Sequence, residues 1–110
     1  MYNITVKKYG SPELLKYQKI TNVVKLGQDQ VKIEVYSAGI NFADTLIIKG
    51  KYQERPRPPF SPGLEVAGKV IEVGKKVKKF KVGDNVMSIM KYGGYKQIVT
   101  VPEENTYFTP

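Results

Sequence analysis

Ile4 and Val6 alternate with polar neighbours near the start of the chain, a period of two that predicts a half-buried strand. Leu14, Leu15, Tyr17 and Ile20 predict a second strand, and Gly27-Gln28-Asp29 reads as a turn. Val31, Ile33 and Val35 then alternate with Lys32, Glu34 and Tyr36, the clearest strand pattern in the sequence. After Ala38-Gly39-Ile40 the period changes. Phe42, Leu46, Ile47 and Ile48 fall close to helical spacing behind Asn41, a good N-cap, and Asp44 places a negative charge in the first turn. The spacing predicts a short helix over 41–49, closed near Gly50.

Residues 51–62 carry Pro56, Pro58, Pro59 and Pro62, which fix φ and remove backbone donors, so no regular ladder runs through them. Leu64 to Val73 predicts a strand interrupted by Gly68, followed by a Lys-rich turn over 74–79. There Val77, Phe80 and Val82 are expected to point inward while the lysines point out. Val82-Gly83-Asp84 is a further turn, Val86 to Met90 a strand, Gly93-Gly94 a break, and Tyr95 to Val101 the last clear strand. Glu103-Glu104-Asn105 turns into a short tail, in which Tyr107-Phe108 ahead of Pro110 reads as the approach to a further segment. Short strands with turn signals about every 8–12 residues predict a mainly β fold, a sandwich or a barrel.

At 110 residues the chain fits one domain, and 41% hydrophobic with 25% charged residues is a globular balance. There is no Cys and no His, so neither a disulfide framework nor a Cys/His metal site is possible. No stretch approaches the roughly 20 apolar residues that span a bilayer, and the first ten residues do not form a signal peptide; a cytoplasmic protein without a membrane partner is the expectation. The net charge of +8, from 18 basic and 10 acidic residues, favours anionic partners.

Five short motifs occur in order over residues 31–101. Ala38-Gly39-Ile40-Asn41-Phe42-Ala43-Asp44 resembles the A-G-x-N-x-x-D segment of the medium-chain dehydrogenase/reductase superfamily, and Gly50-Lys51-Tyr52 its G-x-Y. Pro62-Gly63-Leu64-Glu65-Val66-Ala67-Gly68 resembles P-G-x-E-x-A-G. Val70 to Val86, with Val73, Gly74, Val77, Phe80, Gly83 and Asp84, resembles the next conserved block, and Gly93-Gly94-Tyr95 resembles G-G-[YF]. The zinc alcohol dehydrogenases of that superfamily carry Cys where Asn41 stands and His where Leu64 stands. Asn is a poor zinc ligand beside those groups and Leu is none. The resemblance is therefore to the zinc-independent quinone oxidoreductase branch.

That resemblance implies a GroES-like, partly open β-barrel with a short helix after the A-G-x-N-x-x-D segment. It implies one GroES-like domain over residues 1–110, without the Rossmann domain that completes such an enzyme. The implied reaction is hydride transfer from NADPH to a quinone or an α,β-unsaturated carbonyl, with no zinc. NADPH would be bound mainly by a Rossmann half supplied in cis or in trans. Indeed no Gly-rich turn between a strand and a helix occurs here to cradle a pyrophosphate. Asn41, Phe42, Thr45, Tyr52 and Gly94 are the residues the resemblance places near cofactor or acceptor. Asn41 can donate from its amide, and equally it caps the helix. Tyr52 can flank a quinone ring, or lie on the surface of a Pro-rich loop. Leu46 stands where several quinone oxidoreductases have another Tyr. Asp44, Gly63, Gly68, Gly83, Asp84 and Glu65 are assigned structural roles, Glu65 as a buried or partly buried acid.

Without its completing segments the chain is expected to be inactive alone and prone to self-association, including a homodimer, through an unpaired sheet edge. A competing reading is a small basic β-barrel for single-stranded nucleic acid. Lys69, Lys75, Lys76, Lys78, Lys79 and Lys81 would contact phosphates, with Tyr92 and Tyr95 stacking on bases. A solvated lysine-bearing hairpin explains the same residues more simply. A co-chaperonin reading shares the fold, but no long mobile Gly-rich loop is evident.

Overall fold

A computed structural model of the chain describes residues 2–10, 15–19, 25–39, 42–51 and 56–109. In chain order the elements are β1 (Tyr2–Thr5), β2 (Lys16–Lys19), β3 (Gln30–Ala38), α1 (Phe42–Ile48), β4 (Glu65–Val73), β5 (Asn85–Ile89), β6 (Ile98–Pro102), a 3-10 turn over Glu103–Asn105, and β7 (Thr106–Phe108). β1 and β2 form an antiparallel pair. The other five strands form one antiparallel sheet in the order β6-β3-β4-β5-β7, curled into a half-barrel. The expected mainly β, partly open barrel with one short helix is thus what the chain builds.

Alternation decides which side chains enter the barrel. Val31 and Ile33 of β3 are fully buried. They meet Val66 and Val70 of β4, Val86 of β5, and Val99 and Val101 of β6 in one apolar cluster. Phe80, from the long β4–β5 connection, closes it at 4% exposure. The pairing of β3 with β4 slips twice, leaving Ile71 and Tyr36 as extra residues, and such bulges bend a sheet toward closure. Between them, Gly68 lies opposite Val35, where a Cβ would sit 2.0 Å from the Glu34 carbonyl oxygen. Glycine is what lets the two strands approach there.

A second, smaller cluster joins Val6, Phe60 and the buried face of α1, Ile47 and Ile48, with Leu15 and Leu64 packed against it. The helix ends as the sequence predicts. Gly50 has φ 72°, its N–H donates to the Ile47 carbonyl (3.0 Å), and Lys51 N–H donates to the Leu46 carbonyl (2.8 Å). This is the hydrogen-bond pattern of a glycine-terminated helix. The Phe60 backbone exchanges hydrogen bonds with Val6 in both directions, at 2.6 and 3.1 Å.

Four expectations need correction or extension. In the tail after residue 105, Thr106 to Phe108 pair with β5 as a strand the sequence did not predict, β7. Thr106 is fully buried and donates to the Pro102 carbonyl (3.0 Å), and the buried Ser88 donates to the Asn105 carbonyl (3.0 Å). These two hydroxyls anchor the short strand. Val82 does not point inward: it is 63% exposed, at the tip of the turn closed by Gly83 (φ 98°) and by Asp84, whose carboxylate accepts from the Lys81 N–H. Glu65 is exposed rather than buried, since its place in β4 faces away from the barrel core. Finally, β2 covers only part of the predicted second strand, and Leu14 and Ile20 lie outside the described residues.

Candidate functional site

Four segments meet at one end of the barrel: the end of β3, the first turn of α1, residues 62–65 leading into β4, and residues 93–95. The end of β3, residues 62–65 and residues 93–95 are joined to one another, and to β1, by backbone hydrogen bonds outside the strand ladders. Gly39 N–H donates to the Glu65 carbonyl (3.1 Å), Gly94 N–H to the Gly63 carbonyl (3.1 Å), Tyr95 N–H to the Pro62 carbonyl (2.8 Å) and Ile4 N–H to the Tyr95 carbonyl (2.9 Å).

Gly63 and Gly94 are pressed backbone to backbone. Gly63 has φ 110°, and a Cβ there would stand 2.8 Å from both Gly94 Cα and Tyr95 N. A Cβ on Gly94 would in turn lie 3.1–3.2 Å from Gly63 backbone atoms. Both the positive φ and the missing side chain are required at Gly63. At Gly39 the neighbour is a side chain instead: a Cβ there would meet the exposed Glu65 carboxyl group at 2.0 Å, which would have to swing aside.

Tyr95 is the hub. Its hydroxyl donates to Asp44 Oδ2 (2.9 Å) and lies 3.4 Å from the Gly39 carbonyl oxygen. One side chain thus ties the loop after Gly94 to the first turn of α1 and to the end of β3. Asp44 is 2% exposed. It does more than bring charge to a helix terminus: it takes a tertiary hydrogen bond that fixes the turn in which Asn41 is the predicted cap. Burial raises the Tyr95 hydroxyl pKa well above its ordinary value, with the hydrogen bond to Asp44 and the negative charge of Asp44 adding to the shift. Tyr95 therefore remains a neutral phenol and a donor across the physiological range. Beside it, burial lowers the Lys96 ammonium pKa.

The sequence-predicted residues fall as follows. Gly63, Gly94, Asp44 and Glu65 meet in this region. Phe42 and Thr45 belong to α1, on the same first turn as Asp44. Asn41 and Tyr52 lie outside the described residues. Gly68 belongs to the middle of the sheet, and Gly83 and Asp84 to the turn before β5, so neither place belongs to this cluster. The Tyr95 hydroxyl is the functional group that sequence reasoning missed. Its signal was present in Gly94 before it, where the backbone is pressed against that of Gly63 and so places the next side chain.

Neither a zinc ion nor a whole dinucleotide fits the described residues. The chain has no His or Cys, and among the described residues no three Asp or Glu side chains converge. Leu64 turns its side chain onto the apolar cluster under α1. A pyrophosphate needs a strand, a Gly-rich turn and a helix N-terminus. Among the described residues the one α-helix is α1, of seven residues, behind Gly39 alone.

Lys75, Lys76, Lys78, Lys79 and Lys81 of the lysine run lie on the β4–β5 connection, and Lys69 on β4. Glu103 accepts from the N–H groups of Lys78 and Lys79, and the Lys79 ammonium stands 5.2 Å from the Phe80 ring and 5.4 Å from that of Tyr107. Of the two tyrosines considered for stacking on bases, Tyr95 is half-buried with its hydroxyl engaged, and Tyr92 is 44% exposed.

Comparison with known proteins bears directly on these segments. Residues 27–110 match the family model of the alcohol dehydrogenase GroES-like domain. A quinone oxidoreductase of Lama guanicoe is 39% identical over 111 residues, spanning 100% of this chain and 34% of that protein. The crystal structure of Escherichia coli quinone oxidoreductase complexed with NADPH superposes with a TM-score of 0.92 at 32% identity, over 100% of this chain and 33% of that one. The human synaptic vesicle membrane protein VAT-1 homolog-like protein superposes with a TM-score of 0.94 at 28% identity, over 100% and 35%. The chain spans about a third of the length of the relatives it matches.

Proposed function

We propose, from the premise that this chain belongs to the alcohol dehydrogenase GroES-like domain family, that it is the acceptor-side, N-terminal domain of an oxidoreductase. The reaction proposed is hydride transfer from NADPH to a quinone or an α,β-unsaturated carbonyl. The observation that carries this reading is the Tyr95 hub, which draws together Gly39, Asp44 and the Pro62-Gly63 segment, all within the motifs that resemble the family. The described residues do not fit a dinucleotide, so the reading assigns the hydride donor to a Rossmann domain, in cis or in trans.

The chain's own work is then to hold the acceptor and to meet the charge that develops on its oxygen. Reduction at carbon leaves negative charge on a carbonyl oxygen, and a fixed hydrogen-bond donor stabilises it. The Asn41 amide is the donor assigned here. Its flanks are fixed by the Gly39 hydrogen bond to Glu65 and the Asp44 hydrogen bond from Tyr95. Phe42 and Thr45 share its turn, and Tyr52 and Gly94 are assigned to the walls of the acceptor site. No nucleophile is needed for such a step, and a chain without Cys or His suits it.

The test is a chimera in which this chain replaces the corresponding third of the E. coli enzyme, followed by NADPH oxidation with 1,4-benzoquinone. Quinone-dependent oxidation is expected, and Asn41→Ala should lower its rate by roughly a hundredfold, as the loss of one such donor does. A folded chimera that binds NADPH and leaves the quinone unreduced would overturn the reading.

A further inference from the structure

We propose that the lysine-bearing β4–β5 connection and the end of β7 form one surface that docks on a membrane rich in anionic phospholipid. Val82 and Phe108 enter the headgroup layer, and the lysines around them meet its phosphate and carboxylate groups. The inference is independent of the reaction proposed above. It reverses the expectation of no membrane partner, which rested on the want of a spanning stretch; a docking surface needs none.

Backbone pairing gathers this surface. The Val70 N–H donates to the Asp84 carbonyl (2.9 Å) and the Gly83 N–H to the Val70 carbonyl (2.8 Å), which seats the turn over 81–84 against β4. Thr109 N–H donates to the Asn85 carbonyl (3.1 Å) and Phe108 lies opposite Val86, so the end of β7 runs beside that turn. The rings of Phe80 and Phe108 pack with centroids 4.8 Å apart. Val82 and Phe108 are thereby brought to one end of the sheet, 63% and 52% exposed. Lys75, Lys76, Lys78, Lys79 and Lys81 are all exposed on the same connection. Val70 stands five residues along β4 from Glu65, roughly 16 Å of strand. The candidate site therefore lies toward the other end of that strand.

The chemistry of the surface fits an anionic leaflet. These five lysines outnumber the neighbouring acids Asp84, Glu103 and Glu104. Two of those carboxylates are turned onto backbone N–H groups, Asp84 onto that of Lys81 and Glu103 onto those of Lys78 and Lys79. Lysine stems lie along apolar surface while their ammonium groups reach a polar phase. Each lysine near an anionic leaflet adds an attraction that fades within a Debye length. The apolar tip adds what charge does not, area removed from water. Nucleic acid fits less well. Bases stack on open ring faces, whereas Val82 offers no ring, and Lys79 stands over the rings of Phe80 and Tyr107 at 5.2 and 5.4 Å.

The experiment mixes the chain with vesicles of phosphatidylcholine alone and of phosphatidylcholine and phosphatidylserine in a two-to-one mixture. The bound fraction is read by co-sedimentation, and single-stranded oligo(dT) is offered as a competitor. Binding is expected to the mixed vesicles only. It should weaken at least about tenfold as salt rises from about 0.1 M to about 1 M, where the Debye length falls from about 10 Å to about 3 Å. Val82→Ser should weaken it roughly threefold to tenfold, and Lys78→Gln roughly fivefold. Lys8, exposed between Val6 and Gly10 beside α1, is the control: Lys8→Gln should stay within about twofold of the parent. No binding to the mixed vesicles overturns the inference. Full binding by Val82→Ser does the same, as does equal weakening by Lys8→Gln and Lys78→Gln, which would leave net charge as the whole cause. Binding of oligo(dT) in preference to the mixed vesicles would assign the surface to nucleic acid instead.

Discussion

The barrel cluster and the cluster under α1 are held in different ways. Val31, Ile33, Val66, Val70, Val86, Val99 and Val101 sit on neighbouring strands of one sheet that runs from β6 to β7, with Phe80 closing the cluster. Val6, Ile47, Ile48 and Phe60 come instead from a strand end, one short helix and a loop. They are joined by single backbone bonds such as Gly10 N–H to the Ile48 carbonyl (2.9 Å) and by the Tyr95–Asp44 pair. The barrel places its residues by repetition, whereas the second region places them by individual polar contacts. The candidate site draws on both, with one bank on the end of the barrel and the other on the helix turn.

Comparing equivalent cavities sharpens that contrast most. Ile33→Ala and Ile47→Ala each empty a fully buried site, and such changes cost about 2–5 kcal/mol. The contrast lies in what opens. Hydrogen exchange should rise together across β3, β4 and β5 for Ile33→Ala, and in α1 ahead of the barrel for Ile47→Ala. Uniform exchange in both variants would break the comparison.

A smaller effect is expected for Tyr95→Phe, which leaves the buried Asp44 carboxylate without this donor and should cost about 1–3 kcal/mol by denaturant titration. Its pH dependence has a defined sign. Folding raises the Tyr95 pKa above its ordinary value, so the folded state holds the phenolic proton more tightly than the unfolded chain. That contribution is complete below about pH 10, the ordinary tyrosine value, and is lost as pH rises from there toward the raised one. The stability gap between the parent and Tyr95→Phe should therefore narrow above about pH 10; a constant gap would dissociate Tyr95 from the pair. The smallest effect should be that of Val82→Ser at the exposed turn, within about 0.5 kcal/mol; a larger loss would mean that the turn is packed after all.

Where side chains follow a period, the sequence announced them. Val31, Ile33 and Val35 were legible as one face of a strand, and Gly50 as a helix stop, because alternation and a positive φ leave local marks. Thr106 to Phe108 left no such mark. Three residues are too few to show a period, and the strand is anchored by the buried hydroxyls of Thr106 and Ser88 rather than by an apolar pattern. Glu65 and Val82 were misjudged for a related reason: the sign of a face depends on where a bulge or turn resets it, and β3–β4 is reset twice. The Tyr95–Asp44 contact joins residues far apart in sequence, so only the folded chain brings it to view.

The bare contact between Gly63 and Gly94 has a mechanical consequence. With no side chain between them, the segments that carry them have no cushion to deform, and a push on one is delivered to the other. Tyr95 passes that displacement on to the helix turn. Replacing either glycine with a larger residue would therefore jam that joint.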